Sequence, residues 1–248
     1  MLELVNLRKR YPNGVLAVDG VNLAVQPGEI FVLLGANGAG KTTTINLIMG
    51  FIDPTEGDAL LCGKSIVKEP LEAKKHAAYV SENVMLYGNF TAMQNVRFFT
   101  RLAGRKSVAD EEYHGVLDRV GLERSAHRMR VKHYSKGMRQ RLGIAIAILK
   151  QADVICLDEP TSGLDPKGGQ EFLELLRSLK EEKKAIFMSS HDIFRTKVVA
   201  DRVGIMNKGR ILRIMPRGEM EAADLEGVYL REIETEVVSA AAAQQAKS

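Results

Sequence analysis

Apolar and polar positions alternate at the start of the chain, at Leu2 and Leu4 and again at Val21, Leu23 and Val25. A period of two predicts half-buried strands, and the segments Pro12-Asn13-Gly14 and Pro27-Gly28-Glu29 punctuate them as turns. The pattern then changes to an unbroken apolar run, Ile30 to Leu34, as expected of a short strand covered on both faces in a parallel sheet. A helix from about Lys41 to Met49 is expected after it. Residues 54 to 70 place Pro54, Gly57, Gly63 and Pro70 around short apolar pieces and read as further antiparallel strand and turn. From about Thr91 to Lys150 the periodicity becomes helical, with Val116, Leu117, Val120 and Leu122 on one face.

The run Val154-Ile155-Cys156-Leu157 returns the chain to a sheet, a helix is expected around Gln170 to Lys180, and Ala185–Met188 and Val203–Met206 read as strands. Strands alternating with helices imply an α/β fold with a doubly wound, mainly parallel sheet. The opening strands form an N-terminal antiparallel β subdomain, and the helical stretch, about 88 to 150, forms an inserted α-helical subdomain. The final residues, Ser239 to Ser248, are rich in Ala and Gln, so 236–248 is expected to be a disordered tail.

Composition narrows the class little further. At 248 residues, 45% hydrophobic and 27% charged, the chain can bury a full core as one domain with a helical lobe. A net charge of +4 suits an ordinary solvated surface. The basic cluster from Arg124 to Arg141 reads the same way. Cys62 and Cys156 lack metal-ligand spacing, and Cys156 lies within an apolar run, which suggests core packing in a reducing compartment. No segment approaches the ~20 apolar residues of a membrane helix, and the N-terminus lacks a signal-peptide pattern. The expectation is a cytoplasmic protein that a partner would have to hold at a membrane.

The chemistry begins at Gly35-Ala36-Asn37-Gly38-Ala39-Gly40-Lys41-Thr42, which matches G-x-x-x-x-G-K-[ST] between a buried strand and a helix. Glycines let successive backbone N–H groups face phosphate oxygens, and the helix N-terminus adds partial positive charge. Lys41 supplies a cation for the β- and γ-phosphates. The Thr42 hydroxyl can ligate Mg²⁺, and Thr43 can reach the α-phosphate. This is the loop of a P-loop NTPase core. Asp158 and Glu159 close an apolar strand, at the edge where open α/β sheets bind ligands. Asp158 can hold Mg²⁺ through water, and Glu159 can orient or deprotonate an attacking water.

Tyr134-Ser135-Lys136-Gly137-Met138 resembles the signature segment of the ATP-binding-cassette (ABC) family, usually Leu-Ser-Gly-Gly-Gln, with Ser135 and Gly137 matching. Its place just before the Asp-Glu strand carries the resemblance, which spans roughly residues 2 to 235. The family pattern implies that Ser135 and Gly137 cap a γ-phosphate bound by another protomer. It makes Ser162-Gly163-Leu164-Asp165 the loop that communicates between two sites, with Asp165 near nucleotide, and His191 the residue that senses the γ-phosphate. It places Tyr11 against adenine, although a strand-end tyrosine packing locally serves equally. His76, His114, His127 and His133 receive no role. Two departures stand out: Lys136 replaces a glycine, and Glu82, in Ala78-Tyr79-Val80-Ser81-Glu82, stands where many members carry Gln. A carboxylate there can still hold Mg²⁺ or water.

The resemblance therefore implies an ATP-hydrolysing motor with ATP and Mg²⁺ as ligands. It would close as a dimer with itself or a related ATPase and drive integral membrane transporter subunits from the inner face of the cell membrane. The segment Asn83 to Thr100 would meet those subunits. The signature variant, Glu82 and the stretch Leu225 to Leu230 resemble drug-export members with separate membrane subunits. A soluble ABC ATPase acting on ribosomes or DNA is the alternative, but such proteins usually carry long coiled coils or two cassettes, so no nucleic-acid partner is expected. A GTPase would want Asn-Lys-x-Asp, whereas Asn207-Lys208-Gly209-Arg210 lacks the final Asp. The presence of Glu159 and His191 argues against a non-hydrolysing regulatory cassette.

Overall fold

The computed structural model describes residues 1–245, with side chains through Glu236. Strands β1 (Leu2–Arg10) and β2 (Leu16–Val25) pair antiparallel, and β1 also pairs antiparallel with β4 (Glu56–Leu61), which carries the two-residue β5 (Lys64–Ser65). The second sheet contains β3 (Ile30–Leu34), β6 (Ala77–Val80), β7 (Val154–Leu157), β8 (Ala185–Ser190), β9 (Arg202–Asn207) and β10 (Arg210–Pro216). Its order is β10-β9-β3-β8-β7-β6, parallel throughout except for β10.

Helix α1 (Lys41–Ile48) follows the glycine loop, and α2 (Pro70–Lys75) precedes β6. The insertion holds α3 (Ala92–Leu102), α4 (Asp110–Arg119), α5 (Arg124–His127), a 3₁₀ turn (Val131–His133) and α6 (Lys136–Leu149). Then come α7 (Pro166–Glu181), α8 (Ile193–Val199), α9 (Arg217–Ala222) and α10 (Leu225–Gln245). Thr91 opens α3 with a capping box: its hydroxyl accepts from the Gln94 N–H while Gln94 accepts from the Thr91 N–H.

Burial explains why β3 reads as a continuous apolar run. Phe31 and Leu33 face the core shared with the antiparallel sheet, while Ile30, Val32 and Leu34 face the core under the helices. Alternation survives, but both faces are covered. The neighbouring strands repeat the rule: Cys156 and Phe187 lie on the first side, and Ile155, Leu157, Ile186 and Met188 on the second. Phe31 and Phe187 stack at 5.8 Å between ring centres. Cys156 is fully buried there, and burial pushes its thiol up to about 12, so it packs and does not react.

Several expectations shift. The helix expected from Gln170 begins at Pro166, because Asp165 caps it through the Gly168 N–H at 2.9 Å. Residues 70–75 are helical, with Pro70 in the first turn, where a missing N–H costs nothing. The expected tail is corrected in part: α10 continues through 239–245, and residues 246–248 lie outside the described residues.

Candidate active site

Four neighbouring parallel strands deliver the chemistry to one edge. β3 ends at Leu34 and gives the glycine loop, β8 gives His191, β7 gives Asp158 and Glu159, and β6 gives Ser81 and Glu82. The register places Leu34 opposite Ser190 and Leu157 between Val80 and Met188, so these carboxyl ends lie side by side. The cleft above them has a volume of about 260 Å³. Its wall includes Ala36, Asn37, Gly38, Gly40, Lys41, Thr42 and Thr43 from the loop, together with Glu82, Asp158 and Glu159.

The loop has no room for side chains where it bends. A Cβ on Gly35 would stand 2.5 Å from the Met206 carbonyl oxygen, and one on Gly40, whose φ is 111°, would stand 2.4 Å from that of Ala17. Helix α1 starts at Lys41, so its unpaired first-turn N–H groups are presented at the cleft. The Lys41 side chain is only 6% exposed. Its ammonium donates to the carbonyls of Gly35 (2.7 Å) and Ala36 (3.2 Å) and lies 3.3 Å from Glu159 Oε1.

Glu159 is held unusually. Its φ of 46° puts a non-glycine residue in the left-handed region, a cost of about 1–3 kcal/mol that the surroundings must offset. The Ser189 hydroxyl does so on two sides: it accepts from the Glu159 N–H at 2.9 Å and donates to Asp158 Oδ1 at 2.6 Å. Asp158 Oδ1 also accepts from Thr42 Oγ1 at 3.3 Å. Glu159 Oε2 lies 2.9 Å from His191 Nδ1, while Oε1 is buried and its contact with Lys41 falls outside hydrogen-bond geometry. A cation near one carboxylate oxygen, which accepts no hydrogen bond, and an imidazole at the other suit a group that aligns water.

These residues fit an Mg-nucleotide. Thr42 and Asp158 offer hard oxygen donors a hydrogen bond apart, as Mg²⁺ prefers, and the glycine loop and Lys41 form the phosphate cradle.

Not every expected residue meets here. Tyr11 sits in the tight turn after β1, where its N–H donates to the Val15 carbonyl, and it does not line the cleft; Val15, Leu16 and Ala17 do. Glu82 lines the cleft, but its Oε1 accepts from Ser162 Oγ at 2.9 Å and from Lys136 Nζ at 3.2 Å. The Ser162 hydrogen bond, then that of Lys136, holds this carboxyl below its ordinary range. Ser135 and Gly137 do not line the cleft of their own chain. Ser135 caps α6 by accepting from the Met138 N–H at 3.2 Å. Asp165 likewise caps α7 and does not line the cleft.

Sequence reasoning gave no role at the site to four contributors. Ser189 was visible in Ser189-Ser190-His191 but signalled nothing about its two bonds. Arg195 binds the carbonyls of Thr161 and of Leu164, the latter at 3.0 Å, and so ties down the loop before α7. Lys208 and Gly209 line the cleft from the β9–β10 turn, and the Gly209 N–H donates to the Ala39 carbonyl at 2.8 Å.

A glycine loop and an Asp-Glu pair on the carboxyl edge of a parallel sheet define a P-loop nucleotide hydrolase. The family model described as ABC transporter matches residues 18–162, and the chain belongs to that family. The chain is 40% identical over 215 residues to the uncharacterized ABC transporter ATP-binding protein YhcH of Bacillus subtilis, covering 86% of this chain and 69% of that one. It is 37% identical over 219 residues to the bacitracin transport ATP-binding protein BcrA of Bacillus licheniformis, covering 87% and 70%. Among solved structures, the dimeric post-hydrolysis state of the ATP-binding cassette MJ0796 bound to ADP and Pi superposes with a TM-score of 0.80 at 27% identity, covering 88% of this chain and 99% of that one. The mixed α/β fold with its antiparallel sheet and helical insertion is that of an ABC ATPase cassette, and the chain is an ATP-hydrolysing subunit of that family.

Proposed function

We propose that two copies, or one copy and a related cassette, close around two Mg-ATP and so power an integral membrane exporter. The observation that carries this reading is the division of the binding chemistry: the glycine loop, Asp158 and Glu159 share one cleft, with His191 joined to it through Glu159, whereas Ser135 and Gly137 sit outside it on the helical lobe. A helix N-terminus with a capped serine is ready to receive an anion from elsewhere, and the γ-phosphate in a partner's cleft suits it.

In this reading the glycine loop, Lys41 and Thr43 bind phosphates, with Lys41 exchanging its carbonyl partners for phosphate oxygens. Thr42 and Asp158 would hold Mg²⁺, with Glu82 at the wall, and the bound ion would supply charge neutralisation for the phosphates. Glu159 aligns the attacking water and takes its proton, while His191 orients Glu159 through the 2.9 Å contact. Asp165 positions the loop that faces the second copy, and Tyr11, outside the cleft lining but bonded to its wall at Val15, would flank the base from there. Binding energy at the composite site drives closure, and hydrolysis reopens it.

The membrane partner has a suitable surface. Met85 is 87% and Leu102 73% exposed, beside the cluster Tyr87, Phe90 and Phe98. A groove of about 520 Å³ runs along Phe90, Arg97, Phe98 and Leu102. Exposed aromatics grouped this way mark interaction sites. No described helix is long and apolar enough to cross a membrane, so this face would dock the chain at the cytoplasmic side of the cell membrane. The bacitracin and lantibiotic names of relatives such as BcrA and the Streptococcus pyogenes protein SrtF point toward export of peptide-like toxins.

The test is a tagged pull-down of the Glu159→Gln protein from crosslinked native membranes. A multi-span membrane protein is the expected partner. Recovery of ribosomal or DNA-repair proteins alone would reverse the reading.

A further inference from the structure

Two of the departures from the family pattern, Glu82 and Lys136, touch each other. Lys136 is the first residue of α6, and its ammonium stands 3.2 Å from Glu82 Oε1. One turn further on, on the same helix face, buried Gln140 donates from Nε2 to the carbonyls of Ser81 (3.2 Å) and Glu82 (2.9 Å). Helix α6 thus grips this segment twice, by its backbone through Gln140 and by its carboxylate through Lys136. Ser162 completes the arrangement from the loop before α7, donating to the same Glu82 oxygen at 2.9 Å.

Resting on the Mg-nucleotide reading of the cleft, we propose that Lys136 is a positioning residue that holds Glu82 against the helical lobe, so that Lys136 and the bound metal compete for one carboxylate. Three features require this. Glu82 lines the phosphate cleft and is the wall carboxylate that the helical lobe reaches. Its Oε1 accepts from an ammonium and a hydroxyl, which fills that oxygen and fixes the carboxylate's orientation toward the helical lobe. Lys136 does not line the cleft itself and acts there only through Glu82. A neutral glutamine at position 82 would need no such cation, and a glycine at position 136 could not supply one, so the two departures compensate. Any movement of α6 that lengthens the 3.2 Å contact releases Glu82 toward the metal.

The test measures equilibrium binding without turnover. A fluorescent non-hydrolysable ATP analogue is held at fixed concentration in 150 mM salt while Mg²⁺ is titrated into the wild type, Lys136→Ala, Lys136→Arg, Glu82→Gln and the Lys136→Ala/Glu82→Gln double variant. Lys136→Ala lowers the half-saturating Mg²⁺ by about three- to tenfold, the range of coupling between contacting side chains. Lys136→Arg, which keeps the cation, stays within about twofold of wild type. In the Glu82→Gln background Lys136→Ala adds a shift of less than about twofold. Equal shifts in both backgrounds would overturn the proposal, because Lys136 would then act on nucleotide directly; so would no shift in either. A wild type that fails to bind the analogue would overturn the nucleotide reading and the proposal together. Lys136 is half-buried and outside the hydrophobic core, and Lys136→Gln, which keeps most of the stem, serves as a second variant if the alanine protein misfolds.

Discussion

The glycine-loop cleft and the N-terminus of α6 are both phosphate-seeking, yet they are built differently. In the cleft the charged side chains at the sheet edge are matched inside the chain: Lys41 with Glu159, Glu159 with His191, and Asp158 with Ser189 and Thr42. At α6 the Ser135 hydroxyl only caps its own helix, and the segment stands outside the cleft. A self-matched site binds on its own. In the proposed reading the N-terminus of α6 is half of a site that a second copy's γ-phosphate would complete.

The largest expected effect separates binding from chemistry inside the cleft. Glu159→Gln keeps the shape and removes the base, so turnover falls by about 10²–10⁴-fold while ATP still binds and closed dimer accumulates. ATPase assay with equilibrium dialysis checks both halves. Lys41→Ala reverses the pattern: it leaves Glu159 without its cation, and ATP affinity falls by about a hundredfold in the same dialysis.

A core substitution tests whether the strand ends are held by the sheet. Phe187→Ala removes one ring of the buried Phe31–Phe187 stack and should cost about 3–5 kcal/mol in urea unfolding. Ser135→Ala then sharpens the contrast at the other region. It loses a helix cap worth about 1 kcal/mol and leaves ATP affinity of the isolated chain unchanged, yet lowers turnover of the dimer about tenfold or more. A drop in monomer affinity would put Ser135 in its own cleft.

Much of this contrast was legible beforehand, because its carriers are local. Gly35 to Thr42 lies between a covered strand and a helix, and Asp158 and Glu159 close another covered strand, so position along the chain fixes position on the sheet edge. What could not be read depends on strand order and side-chain reach. Ser189 serves Asp158 and Glu159 only because β8 lies beside β7. Lys208 enters the cleft only because β9 lies beside β3. Lys136 is visible in the sequence only as a departure from glycine, and the partner it meets, Glu82, is 54 residues away. The start of α7 at Pro166 was missed because Asp165 was read for nucleotide when its carboxylate also caps the helix.

The smallest effect concerns pH. The Glu82 carboxyl is held below its ordinary value of 4.5, so its contribution to stability is fully present above that value and is lost as pH falls through the lowered one. Wild type should therefore lose stability relative to Glu82→Gln only below about pH 5, read from urea midpoints across the acid range. A difference that grows above neutrality would contradict the ion pairing.

The most direct test of the shared site is sedimentation velocity of Glu159→Gln with ATP and Mg²⁺, with ADP, and without nucleotide. The account predicts a stable dimer with ATP alone, abolished when both copies carry Ser135→Ala as well. A monomer that binds ATP and sediments unchanged under all three conditions would contradict it.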